Sequence, residues 1–141
     1  MANKNYLIKN LHDYESLFRN INLYDNNRTV IFLKGELGSG KTTFVQKYLK
    51  YKYAFTNTSS PTFGIVNTYP INKIMIYHYD LYRITKPAEL NDIGFYDNLE
   101  VDTLHFIEWP EIIPKQISKP NIIINFQLLS KERIISINTY E

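Results

Sequence analysis

The sequence predicts an α/β domain with a mixed β-sheet flanked by helices. Three observations carry that expectation. Strand-like and helix-like segments alternate through the first part of the chain. Two apolar runs, Thr29-Val30-Ile31-Phe32-Leu33 and Thr103-Leu104-His105-Phe106-Ile107, read as strands covered on both faces. The end of the chain reads as paired strands with no helix between them, which turns a parallel pattern into a mixed one.

Taken in order, residues 6–9 predict a short strand. Asn10 then caps a helix on which Tyr14, Leu17, Phe18 and Ile21 recur at helical spacing. Asp25-Asn26-Asn27-Arg28 is a turn before the strand over residues 29–33. Residues 35–40 are glycine-rich, and residues 41–51 turn helical, with Phe44, Tyr48 and Tyr51 on one side. A loop ending in Ser59-Ser60-Pro61-Thr62-Phe63 follows. Residues 65–69 and 74–79 predict a hairpin around Pro70-Ile71-Asn72. A short helix is expected over residues 87–93, with Thr85 as cap and Gly94 as stop. Residues 103–108 form the second covered strand. Pro110, Pro114 and Pro120 interrupt the next stretch, and residues 121–129 and 133–140 close the chain as a hairpin around Ser130-Lys131-Glu132.

With 141 residues, no repeat and no Pro/Gly/Ser-rich linker, residues 1–141 are expected to form one domain. A hydrophobic fraction of 44% against 21% charged residues excludes whole-chain disorder. No apolar run approaches the roughly 20 residues of a membrane helix, and the first residues lack a signal-peptide pattern, so a cytoplasmic protein is expected. The absence of cysteine excludes disulfides, thiol catalysis and cysteine metal sites. His12 and His105 have no metal-ligand spacing to any partner, so no zinc site is assigned. A net charge of +2 is too balanced to argue for nucleic acid or an anionic membrane as a direct partner.

The most informative segment is Gly35-Glu36-Leu37-Gly38-Ser39-Gly40-Lys41-Thr42, a full G-x-x-x-x-G-K-[ST] match. Its glycines let the main chain curl so that successive N–H groups point at phosphate oxygens. The helix that starts near Lys41 adds the positive end of its dipole. Lys41 brings a full charge to the outer phosphates, and the Thr42 hydroxyl is a magnesium ligand. The motif follows a covered strand and opens a helix, the context that a P-loop requires. The fold expected is therefore P-loop NTPase-like.

A phosphate cradle does not activate water; an acidic group beside the outer phosphate and the metal does. Two carboxylates end apolar strands. Glu108 follows residues 103–107, Asp80 follows residues 74–79, and both are expected at the crevice beyond the strand ends where the loop also lies. Thr62 has two readings: a hydroxyl carried to the metal or γ-phosphate by a switch-like loop, or a turn residue after Pro61. Trp109 is either core or an exposed aromatic at the site or a partner surface. Arg83 either neutralises transition-state charge or pairs with a surface acid, the commoner fate of a lone arginine. His78 reads as a satisfied strand histidine.

Four blocks occur in order: Gly35 to Thr43 as above, Ser60-Pro61-Thr62-Phe63, His78-Tyr79-Asp80-Leu81-Tyr82-Arg83, and Ile107-Glu108-Trp109-Pro110-Glu111. Together they resemble the bacterial TsaE (YjeE-type) ATPase family across essentially the whole chain. The resemblance implies an ATPase required for threonylcarbamoyladenosine formation on ANN-decoding tRNAs. It implies TsaB and TsaD as partners, whose complex ATP hydrolysis resets, and tRNA reached only through that complex. Lys41, Asp80 and Glu108 are then the expected catalytic residues. Glu36, Leu37, Gly38, Ser39, Gly40, Lys41, Thr42, Thr43, Thr62 and Trp109 are the expected nucleotide contacts, with Thr42 and Glu108 as magnesium ligands.

Two other P-loop classes fit less well. Small kinases clamp a second substrate with several arginines, and this chain has Arg19, Arg28, Arg83 and Arg133 alone. A guanine-nucleotide switch needs an N-K-x-D base reader and a D-x-x-G element. Asn72-Lys73-Ile74-Met75 lacks the aspartate, and no aspartate has glycine three positions on.

Overall fold

The computed structural model describes residues 2–21, 23–58, 65–116 and 119–140. Strand β1 (Ala2–Ile8) leads into helix α1 (Leu11–Arg19), and β2 (Thr29–Gly35) leads through the glycine loop into α2 (Lys41–Tyr53). Then come β3 (Val66–Ile71), β4 (Ile74–Asp80), two short helices α3 (Glu89–Asp92) and α4 (Phe95–Leu99), and β5 (Leu104–Glu108). A 3₁₀ turn (Pro110–Ile112) precedes β6 (Ile122–Leu128) and β7 (Arg133–Thr139).

Among the described residues the strands form one sheet in the order β1-β7-β6-β2-β5-β4-β3. The centre is parallel: β2 pairs with β5 and β6, and β5 pairs with β4. The flanks are antiparallel, β1 and β6 on β7 and β3 on β4. This is the mixed α/β sheet expected. The covered run in β2 divides its side chains between two cores, as a strand with a period of two must. Ile31 and Leu33 join Leu17, Phe18, Phe44, Tyr48 and Leu49 of α1 and α2. Val30 and Phe32 join Leu90, Phe95 and Leu99 of α3 and α4 on the opposite face.

Local chemistry sets the element ends. The Asn10 side chain accepts from the His12 N–H at 3.0 Å, and Asp13 reaches back to the Asn10 N–H at 3.2 Å, which fixes the start of α1. Three expectations need correction. The first strand begins at Ala2, not Tyr6: it is an edge strand paired along its whole length with β7, and its polar Asn3-Lys4-Asn5 stretch hides it. Pro70 lies inside β3, which tolerates a residue without N–H because it is the other edge; the turn falls on Asn72, at φ 56°. Gly94, at φ 70°, ends one short helix but also begins another, and Thr85 bonds the Glu89 side chain at 3.0 Å while Ala88 stands at the cap position.

Candidate functional site

The glycine loop joins the C-terminal end of β2 to the first turn of α2. Gly40 has φ 107°, a conformation open to glycine and costly for other residues, and the Arg133 guanidinium occupies the space that a side chain there would fill. At Gly35 a Cβ would stand 2.6 Å from Ser39 Oγ and 2.8 Å from the Phe126 carbonyl. The first N–H groups of α2 have no acceptor inside the helix and are free to meet an anion.

Lys41 is buried, and its Nζ donates to the carbonyls of Gly35 at 2.6 Å and Glu36 at 2.9 Å. The same ammonium stands 4.4 Å from the centre of the Trp109 ring. Burial lowers its pKa from the usual lysine value, and the carboxylates of Glu108, Asp80 and Glu111 oppose that fall. Trp109 itself has φ 59°, a left-handed conformation that costs an L-residue about 1–2 kcal/mol. Its ring packs on Tyr82 with centroids 4.9 Å apart.

Strand register brings the acids to this loop. Asp80 of β4 lies directly beside Glu108 of β5, and Glu108 lies beside Leu33 of β2, two residues before the loop. Glu108 Oε2 accepts from the Thr42 hydroxyl at 2.8 Å and lies 2.5 Å from His78 Nε2. Asp80 Oδ1 accepts from the Tyr82 N–H at 3.1 Å. Burial raises the Asp80 pKa from the usual aspartate value and the Glu108 charge adds to the rise; the Tyr82 N–H, His78 and Lys41 act the other way. A carboxyl raised on folding favours the protonated form, so the stability it contributes at low pH is lost as pH rises through its folded value. Asp80→Asn is therefore expected to raise Tm by about 1–3 °C at neutral pH, with the gain shrinking in acid. Thermal unfolding of both proteins in the two buffers checks this.

Leu37, Gly38, Gly40, Lys41, Thr42, Thr43, Asp80, Glu108 and Trp109 line one cleft of roughly 320 Å³. Two of the residues named from sequence do not line it. Glu36 has an exposed side chain and contributes its carbonyl to Lys41, and Ser39 turns its hydroxyl under the loop. Thr62 and the rest of the Ser60 to Phe63 block lie outside the described residues.

Sequence reasoning missed two neighbours. Arg133, the first residue of β7, lines the same cleft, whereas Arg83 is exposed and does not. A second groove of about 360 Å³ shares Thr43 and Arg133 with the first and continues along Asn10, Tyr14, Lys47 and Lys131. The available signal was topological: β6 runs parallel beside β2, so the turn after it lies near the loop that follows β2. His78 is satisfied, as the sequence predicts, and one of its two partners is Glu108.

A family model described as "Threonylcarbamoyl adenosine biosynthesis protein TsaE" matches residues 8–135. A Rickettsia conorii protein named "tRNA threonylcarbamoyladenosine biosynthesis protein TsaE" is 42% identical over 113 residues, covering 78% of this chain and 63% of that one. The Rickettsia prowazekii protein of the same name is 38% identical over 132 residues, covering 92% and 89%. The Haemophilus influenzae one is 33% identical over 117 residues, covering 83% and 74%. The match thus spans somewhat under two thirds of the Rickettsia conorii relative and most of the Rickettsia prowazekii one. The crystal structure of Bacillus subtilus YdiB superposes with a TM-score of 0.71 over 99% of this chain and 87% of that one, at 20% identity, a likeness of fold.

Proposed function

This chain belongs to the TsaE family, and from that premise we propose that its cleft binds and hydrolyses magnesium–ATP in support of threonylcarbamoyladenosine formation on ANN-decoding tRNAs. The carrying observation is the convergence of Lys41, Thr42, Asp80 and Glu108 at the mouth of the glycine loop. On this reading residues 1–141 act as one ATPase domain in the cytoplasm, with TsaB and TsaD as partners and tRNA met through their complex. Among the described residues no helix is long and apolar enough to cross a membrane.

The donor set fits magnesium. The Thr42 hydroxyl donates a hydrogen bond to Glu108, which leaves lone pairs on Oγ for a hard cation, and Glu108 and Asp80 add carboxylate oxygens to the same cleft. Thr42 and Glu108 would hold the ion, and bound magnesium would offset charge on the phosphate oxygens. The loop amides and Lys41 grip the polyphosphate; to reach it, Lys41 exchanges the Gly35 and Glu36 carbonyls for phosphate oxygens. Glu108 and Asp80 orient the attacking water, and Glu108 takes up its proton. Trp109, backed by the ring of Tyr82, walls one side of the cleft. The groove beyond Thr43 accommodates the nucleoside end, with Arg133 between the two regions. Arg133→Ala is expected to weaken nucleotide affinity about tenfold, read from titration with a fluorescent ADP analogue.

Arg133 is the sole arginine at the cleft among the described residues, so transition-state charge is incompletely met in cis. Hydrolysis by the isolated chain is expected to be slow, and TsaB with TsaD to accelerate it at least about tenfold, within the range for groups supplied in trans. Single-turnover rates with and without the partners test this; equal rates contradict it.

A further inference from the structure

Among the described residues Glu108 has two hydrogen-bond partners, Thr42 and His78, and both meet Oε2. Oε1 takes part in neither. His78 is fully buried in β4, and its other ring nitrogen, Nδ1, lies 3.1 Å from the hydroxyl of Tyr69 on edge strand β3. The Asn67 side-chain amide donates to that hydroxyl at 3.5 Å. A line of side chains therefore crosses three adjacent strands and ends on the acid at the cleft.

With Glu108 ionised and the ring neutral, the protons along the line fall into one order. An ionised Glu108 only accepts, so His78 Nε2 carries the hydrogen. In the neutral ring Nδ1 is then an acceptor, and the Tyr69 O–H is the donor that it meets. A glutamate turns about three side-chain bonds, and two donors on one oxygen from different elements fix the plane of its carboxylate. Partners of this kind orient the groups that meet a metal or a reacting water.

We propose that His78, held in its tautomer by Tyr69, is a positioning residue for Glu108: it anchors Oε2 so that Oε1 is the oxygen offered to the cleft. This rests on the reading of the cleft as a magnesium–ATP site. A histidine that merely fills the core would tolerate any isosteric replacement that preserves the fold.

The test uses the full chain with TsaB and TsaD, and the variants His78→Phe, His78→Gln and Tyr69→Phe. For His78→Phe, kcat is expected to fall about 10- to 100-fold while affinity for metal-free ADP changes by less than about threefold. The glutamine amide can donate to the same oxygen, so His78→Gln should recover most of the loss. Tyr69→Phe should lower kcat less, and add nothing when combined with His78→Phe, since both act through one contact. Nuclear magnetic resonance of the labelled ring gives a readout independent of turnover. It should show the Nε2–H tautomer with a protected ring proton, and its signal should move in Tyr69→Phe.

Wild-type kcat in folded His78→Phe, a glutamine variant no better than phenylalanine, or an Nδ1–H tautomer would each overturn the proposal. If His78→Phe does not fold, Tyr69→Phe and the ring spectrum decide. A wild-type chain that fails to hydrolyse ATP with its partners present refutes the parent reading instead, and the ring spectrum still shows whether His78 anchors Glu108.

Discussion

Lys41→Ala is expected to lower affinity for a magnesium–ATP analogue by about 100-fold or more, since charge-assisted hydrogen bonds contribute about 1.5–3 kcal/mol each and the ammonium reaches more than one phosphate oxygen. The position is prepared for this. Lys41 opens α2, lies buried beneath the loop, and donates to the Gly35 and Glu36 carbonyls. Those bonds hold the side chain beside the cradle, where Glu108, Asp80 and Glu111 favour its charged form. Alanine is a good helix former and the α2 core contacts of Phe44, Val45 and Tyr48 are untouched, so the variant should unfold cooperatively near the wild-type temperature. Titration with a fluorescent ATP analogue, beside a circular dichroism melt, measures both. Unchanged affinity together with unchanged hydrolysis would remove the loop from the mechanism.

Glu108→Gln is expected to separate binding from turnover. The single-turnover rate should fall by about 100-fold or more, the range for loss of a positioned general base, while nucleotide affinity changes by less than about fivefold. Glutamine keeps the length of the side chain, and its carbonyl oxygen can accept from both Thr42 and His78, the two donors that Glu108 now satisfies. What it loses is the negative charge beside Asp80 and the capacity to take a proton from water. Alanine at this position would instead leave a buried imidazole N–H unpaired and blur function with stability. A binding isotherm beside a rate measurement at saturating nucleotide decides the point; weakened affinity with an unchanged rate would place Glu108 in binding alone.

The features that were legible in the sequence are those fixed by neighbours along the chain. The glycine loop is defined by its own residues. The runs in β2 and β5 stand out because a central strand buries both of its faces, and Asp80 and Glu108 stand out because they end such runs. What was not legible depends on pairing. The polar start of β1 becomes a strand because β7 lies beside it. Arg133 reaches the loop because the β6–β7 hairpin folds next to β2. His78 meets Glu108 because β4 and β5 align Asp80 with Glu108, two residues beyond His78 with Phe106. Local pattern holds no record of register. A histidine in an apolar strand therefore looks the same whether its partner is a core hydroxyl or an acid at the cleft, and here His78 has one at each ring nitrogen.

On the proposed reading, the turn from β2 into α2 grips the phosphates of a magnesium-bound nucleoside triphosphate. An amide nuclear magnetic resonance titration of the labelled chain with a non-hydrolysable ATP analogue and magnesium tests it most directly. The largest shifts are expected at Gly38, Gly40, Lys41, Thr42 and Thr43, and their loss in Lys41→Ala. Unmoved amides in that turn, with shifts gathered around the separate apolar groove of Tyr6, Leu23 and Ile124, would contradict it.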